Sequence, residues 1–428
     1  MKKYFSRINK KALHFLIFTS CFLNLPSFCA FLIKVSLFKP KFLKKKIKTK
    51  KTFLVLFREI GIRDIEIIYK STNNDFEFIF LKRSIFKVIL FYFSNKKKSF
   101  FDYFTYPTSD EDFFNQKNIE RNKHEKFLSD VIFILKKYYK EKALNLITFN
   151  YTYAAEAALY FACKRNNLPV LLWHKEGVQS DVDSEYQLKT RGIKFRQVFK
   201  YFTNISVYNE FTKKNFKKID KRISKKIVVN GCPRLEDYIV KKKYYKKPKT
   251  ILFLYFDKRR GIPKYNKYKN LSWSNSYDKV IEILNELSIN KSLNIIIKIK
   301  PTSQIRINEQ INKRIKIFKS GSAERFINQS DIVIGHNSSS TLEAIANGKL
   351  VMVPFFENNL KLKKYLLKFD NDIIYTSKKI MKKTILNFVN KKLFFPQNSK
   401  KYNKTIKYYF SDINSNNIIK KYFNFLKN

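Results

Sequence analysis

The sequence predicts an α/β fold of two doubly wound units facing each other across a cleft, preceded by a hydrophobic helical N-terminal segment. Three observations carry this expectation. From residue 52 onward, short apolar runs alternate with segments whose apolar residues recur at helical spacing, and such alternation builds parallel sheets covered by helices on both faces. The chain has 428 residues, 44% of them hydrophobic, which is more than one ordinary core accommodates. A Lys/Tyr-rich stretch, KKKYYKKPK at 241–249, divides the alternation into two halves. Paired units of this kind take ligands beyond the carboxyl ends of their strands.

Residues 1–51 form the hydrophobic and basic N-terminal segment. Within it ALHFLIFTSCFLNLPSFCAFLI (12–33) holds no Lys, Arg, Asp or Glu and is flanked by basic residues. Its length suits a membrane span, and its basic start with SFCA resembles a signal peptide. Asn24 and Pro26 instead suit a buried or interfacial helical hairpin. The basic KPKFLKKKIKTKK (39–51) reads as a linker or membrane-facing arm.

The first unit, 52–240, opens with strands TFLVLF, FEFIFL and KVILFYF. It continues through helix EKFLSDVIFILKKYYKE, strand LNLITF, helix YAAEAALYFACKRN, strand PVLLWH, strand ISVYN, a helix near 209–219 and strand KIVVNG. The second unit, 250–395, runs through strand TILFLYF, helix YDKVIEILNELSI, strands LNIIIKIK and IKIF, helix AERFIN, strand DIVIG, helix STLEAIANG and strand LVMVPF. The tail, 396–428, reads as helical and able to lie across both units.

Composition narrows the function. The chain carries 88 Lys+Arg against 34 Asp+Glu, a net charge of +54. Such a field favours nucleic acid, anionic lipid or phosphorylated substrates. The lysines are spread along the whole chain among many Asn, Ile, Phe and Tyr, however, the composition an AT-rich genome produces. No recognisable nucleic-acid module concentrates them, so a nucleic-acid partner is not expected. Cys21, Cys29, Cys163 and Cys232 are far apart without a CxxC pair, which argues against a zinc site or disulfide framework. Walker, GxGxxG and HExxH motifs are absent, and neither a metal nor a cofactor is called for.

The most informative stretch is DIVIGHNSSSTLEA. A strand ends at Ile334, Gly335 turns the chain, and a helix opens near Ser338, Ser339, Ser340 and Thr341. Free N–H groups and the positive dipole end of that helix suit a diphosphate, and hydroxyls add donors without bulk. Glu343, one turn further in, is suited to accept from ribose hydroxyls. The competing structural reading is a capping box, with Ser340 bonding the N–H of Glu343 and Glu343 reaching back. Three consecutive hydroxyl or amide side chains ahead of that serine, Asn337 to Ser339, exceed what a cap needs, which favours phosphate.

Further candidates stand at strand ends. His174 and Glu176 follow LPVLLW and suit general-base chemistry on a sugar hydroxyl. Arg234 leaves the Gly-x-Pro turn of VVNGCPRLEDY toward a phosphate or carboxylate, or toward Glu236 or Asp237 in a plain surface turn. Lys300 ends IIIKIK and Glu59 follows the first strand in REIGIRD. Acidic spacings at Asp110–Asp112, Asp181–Asp183 and Asp370–Asp372 lie in polar loops and read as solvated.

Taken in order, WHKEG, VVNGCPRLEDY, IKIKP and IVIGHNSSSTLEAIANGKLVMVP resemble the GT-B-fold transferases of bacterial surface and capsular polysaccharide synthesis. The surface carbohydrate biosynthesis and CDP-glycerol glycerophosphotransferase-like groups are the families meant, with the UDP-N-acetylglucosamine 2-epimerase fold as a structural relative. The likeness covers roughly residues 125 to 360. It implies two Rossmann-like domains, with a nucleotide-activated donor on the second and a glycan or lipid-linked glycan acceptor on the first. It also implies a cytoplasmic enzyme, peripheral to or anchored at the inner membrane. By the same resemblance Ser338 to Thr341 fall on the donor-phosphate helix start and Glu343 on the ribose-contacting position. Arg234 falls on the Gly-x-Pro-Arg turn, and His174 and Glu176 on a turn facing the acceptor. One departure is Thr302, where those families often carry His after the KP strand end.

Overall fold

The computed structural model describes residues 9–40, 42–43, 51–72, 75–94, 99–105, 116–139, 143–175, 178–235, 250–256, 258–262, 270–300, 311–390, 400–411 and 415–427. Glu176, Glu236, Asp237, Thr302, the acidic run 110–112 and the Lys/Tyr-rich stretch 241–249 lie outside them. The chain divides into two compact units. One comprises Met1–Lys175, Arg191–Pro233 and Asn416–Asn428; the other comprises Glu176–Thr190 and Arg234–Ser415.

The first unit is built on a six-stranded parallel sheet of β1 (Lys51–Leu56), β2 (Phe76–Leu81), β3 (Ala143–Thr148), β4 (Val170–Trp173), β5 (Asn204–Val207) and β6 (Ile227–Val229). The strand order is β2-β1-β3-β4-β5-β6. Phe53 to Leu56 are each at most 2% exposed, as strands covered on both faces require. The register sets Phe53 beside Phe78 on one side and Asn145 on the other.

The second unit holds β7 (Thr250–Tyr255), β8 (Asn294–Ile299), β9 (Lys316–Phe318), β10 (Ile332–Ile334), β11 (Leu350–Pro354) and β12 (Ile374–Tyr375). Their order is β12-β11-β10-β7-β8-β9, again all parallel. Successive connections in each sheet reverse direction beside its first strand. That reversal opens a crevice between β1 and β3 in one unit and between β7 and β10 in the other, the positions where open α/β sheets receive ligands.

One expectation needs correcting. KVILFYF is not a strand but part of the helix Arg83–Ser94. Ile85, Phe86, Val88, Ile89, Leu90, Phe91 and Phe93 are all buried, because this helix packs against Lys10–Phe22, Asn118–Lys137 and Ala154–Arg165. The helix keeps only a narrow polar edge at Arg83, Ser84 and Lys87, so the apolar run that follows Lys87 resembles a buried strand. Of the readings open for 12–33, the structure has the helical hairpin. It forms Lys10–Phe22 and Pro26–Ser36, with Asn24 between them at φ +51° and Pro26 opening the second. Among the described residues no helix is long and apolar enough to cross a membrane.

Candidate functional site

The second unit builds its site where β10 turns into the helix Ser339–Ala346, at the β7/β10 crevice. Gly335 follows the strand, and a Cβ on it would lie 2.6 Å from Thr341 Oγ1, so no larger residue fits without moving the helix start. The N-cap is Ser338, not Ser340: Ser338 Oγ accepts from Thr341 N at 3.1 Å. Thr341 Oγ1 donates to the His336 carbonyl at 2.8 Å, so Ser338 supplies the hydrogen in the 3.0 Å hydroxyl contact between the two. Both residues are buried.

This divides the cluster in two. Ser338 and Thr341 hold the turn together. Ser339 and Ser340 are half-buried in the first helical turn, and neither hydroxyl bonds to a described residue. Their N–H groups also precede the first intrahelical acceptor. Two hydroxyls and two N–H groups of this turn are therefore without a partner among the described residues, while the residues on either side are fixed internally.

Two buried side chains frame that turn. Asn337 Nδ2 donates to the carbonyls of Tyr365 at 2.7 Å and Arg260 at 3.2 Å, while its Oδ1 accepts from Leu367 N at 2.9 Å. It thereby ties the loop after β7 to the segment after β11. Gly261, at φ +81°, makes room: a Cβ there would come within 2.4 Å of the Asn337 amide. His336 stacks on Tyr277 and Trp273 at 5.1 and 5.2 Å between ring centroids. Neither of its ring nitrogens has a hydrogen-bond partner among the described residues, and burial lowers its pKa to about 3, so the ring is neutral.

Glu343 does not form the expected capping box. Its Oε1 accepts from Arg234 Nε at 2.9 Å, and both side chains are buried. Arg234 thus pairs within its own unit with a carboxylate 109 residues away. Lys300 is exposed immediately past β8. Its neighbour two residues back, Lys298, is buried, donates to Ile299 O at 2.6 Å and Lys319 O at 3.4 Å, and has a pKa lowered by desolvation.

In the first unit His174 follows β4 and extends the ladder, its N–H bonding Ser206 O at 2.8 Å. Its ring lies 4.8 Å from Phe216, edge-on, and 5.7 Å from Tyr151. Glu59 opens the helix Glu59–Ser71 at the carboxyl end of β1. Around the β1/β3 crevice stands a cluster that sequence reasoning overlooked. Arg58 Nη2 donates to the Tyr153 hydroxyl at 2.6 Å, and the Arg83 guanidinium sits 4.1 Å from the centre of the same ring.

Arg83 also pairs with Glu156, which is buried and accepts from Tyr160 at 2.7 Å and Thr148 at 3.2 Å. Burial acts to lower the Arg83 pKa, but the Glu156 carboxylate outweighs it and the net shift is upward. The Tyr153 ring thus stands between two guanidinium groups, of which Arg83 is paired with the Glu156 carboxylate. Arg83 and Glu156 lie 73 residues apart, so only the fold joins them. His336 and Asn337, by contrast, adjoin the serines and were legible as their neighbours.

No protein-family model matches the sequence, and no curated protein does. Solved structures do. A UDP-GlcNAc 2-epimerase from Methanocaldococcus jannaschii aligns with a TM-score of 0.50 at 14% identity, over 88% of this chain and 99% of that one. The wall teichoic acid polymerase TagF, in a variant form, aligns with a TM-score of 0.50 at 12% identity, over 98% of each chain. Another UDP-N-acetylglucosamine 2-epimerase gives 0.50 at 11% identity, over 88% and 96%. At such identities the likeness is one of fold: this chain has the two-unit, parallel-sheet α/β architecture of the GT-B-like proteins.

Proposed function

We propose that the protein is an enzyme acting on a nucleotide-activated sugar or glycerol. In this reading it is a transferase that moves a sugar or glycerophosphoryl group onto a surface polysaccharide or lipid-linked glycan. The observation that carries it is the division of labour in the hydroxyl cluster. A cap needs Ser338 and Thr341 alone, so the donors of Ser339 and Ser340 at the β7/β10 crevice are left for a diphosphate.

The remaining roles follow from chemistry. Arg234 orients Glu343, whose second oxygen is suited to a ribose hydroxyl. Lys300, exposed past β8, adds positive charge as the nucleotide phosphate departs. On the acceptor unit, Glu59 is the candidate base, since it stands at the β1/β3 crevice beside Arg58. Glu176 is a second candidate. The aromatic surroundings of His174 favour a positioning role over direct proton transfer.

The 2-epimerase reading draws equal support from the fold relatives. Turnover separates the two, because an epimerase needs no acceptor. Donor binding is tested by titrating CMP, UDP, GDP and ADP forms into wild type and the Ser339→Ala, Ser340→Ala double variant by calorimetry. We expect one nucleotide to bind and the variant to weaken it about tenfold or more, the loss of two charge-assisted hydrogen bonds. Equal binding by both proteins would remove the phosphate role from the helix start.

A further inference from the structure

The helical hairpin at the N-terminus buries one apolar side and exposes another. Leu13, Ile17, Cys21, Cys29, Ala30 and Ile33 pack inward, against the helices Arg83–Ser94 and Asn118–Lys137. The outward stripe is Phe15 and Phe22 on the first helix and Phe28 and Phe31 on the second, joined by Leu23 and Leu25 at the turn. Phe22 is 68% exposed, Leu23 54% and Leu25 45%. Phe101 and Phe104 extend this surface beside Phe15, through contacts of all three with the Phe100 ring. Contiguous exposed apolar side chains at one tip mark an interaction surface.

Charge indicates the partner. The first 58 residues carry 15 Lys and Arg and no Asp or Glu. Exposed Lys10 and Lys11 open the first helix and exposed Lys34 lies near the end of the second, both remote from the turn. At 1.5 Å per residue, Phe15 stands roughly 10 Å and Lys11 roughly 16 Å from Phe22 along the axis. An apolar tip of about 10 Å matches the 5–10 Å to which interfacial helices sink, with basic residues held at the headgroups. Asp102, which adjoins Phe101 in sequence, is engaged by the N–H and hydroxyl of Ser99.

We propose that this hairpin docks the protein on an anionic lipid bilayer, with Phe22, Leu23, Leu25 and Phe28 entering the acyl boundary and Lys10, Lys11 and Lys34 meeting lipid phosphates. Neither helix, at 13 and 11 residues, reaches the roughly 20 a span needs. The surface is therefore interfacial.

The test is sedimentation of the full chain with phosphatidylcholine vesicles containing one-third phosphatidylglycerol, and with pure phosphatidylcholine vesicles. Binding to the anionic vesicles is expected, at least about tenfold weaker for Phe22→Ser with Leu25→Ser and weaker in high salt. Both replaced side chains are exposed, so an unchanged melting temperature verifies folding. In addition, all four native cysteines are buried, so a Leu23→Cys variant takes an environment-sensitive dye at the tip alone. Its emission should shift to the blue on adding anionic vesicles. Equal binding by the serine variant, equal binding to both vesicle types, or no dye shift overturns the proposal. Self-association that the serine changes abolish, without vesicle binding, assigns the face to a second copy and overturns it as well.

Discussion

At the scale of single residues, three buried histidines have no hydrogen-bond partner among the described residues: His14, His124 and His336. His124 stacks flat on Phe93 at 5.0 Å, and burial, aided by Arg121, lowers its pKa to about 3. The unfolded chain holds this group near 6.5, so between pH 6.5 and 3 the unfolded state binds the extra proton. Stability from the neutral ring is present above pH 6.5 and falls as pH drops, by up to about 1.4 kcal/mol per pH unit for each such histidine. His124→Phe should lower the slope of unfolding free energy against pH by about one proton in this window, read from urea melts at pH 4 to 7. An unchanged slope would mean the ring is solvated or partnered. None of this was legible in the sequence, where the three histidines are separated by more than a hundred residues. The Arg234–Glu343 pair was hidden for the same reason: each residue had a plausible local partner, and the fold supplied a remote one.

At the scale of elements, strands read well wherever both faces are covered and turn residues bound the run, as at β7, β8 and β11. The helix Arg83–Ser94 read badly because burial of all but a narrow polar edge leaves an unbroken apolar run, Val88 to Phe91, that a strand would share. The start of Ser339–Ala346 read correctly to within two residues, but spacing alone could not choose among consecutive serines for the cap. The two halves of that cluster respond differently to substitution. Ser338→Ala removes the acceptor of the Thr341 N–H and the donor to its hydroxyl, and should cost about 1–2 kcal/mol by urea denaturation. Ser339→Ala with Ser340→Ala should stay within about 0.5 kcal/mol of wild type. If instead the latter pair destabilises as much as Ser338→Ala, those hydroxyls serve the fold, and the case for a ligand at this turn is lost.

At the scale of the whole molecule, the tail was expected to be helical, and it forms Lys400–Phe410 and Ser415–Lys427. The first of these belongs to the second unit, and from Asn416 onward the chain belongs to the first. Tyr422 stacks on Trp173 at 4.2 Å and donates to Gly231 O at 3.1 Å, with Ile418, Phe425 and Leu426 buried beside it. Each of these side chains contributes on the order of 1.5–3 kcal/mol by burial, so the first unit depends on a helix that follows the whole second unit in sequence. The chain has two tryptophans, and each unit holds one: Trp173 in the first and Trp273 in the second. Removing residues 412–428 should therefore lower the unfolding midpoint followed through Trp173 in a Trp273→Phe background. The midpoint followed through Trp273 in a Trp173→Phe background should barely move. Equal loss in both signals would mean that the units unfold as one, and an unchanged Trp173 midpoint would mean that the final helix adds nothing to the core it covers.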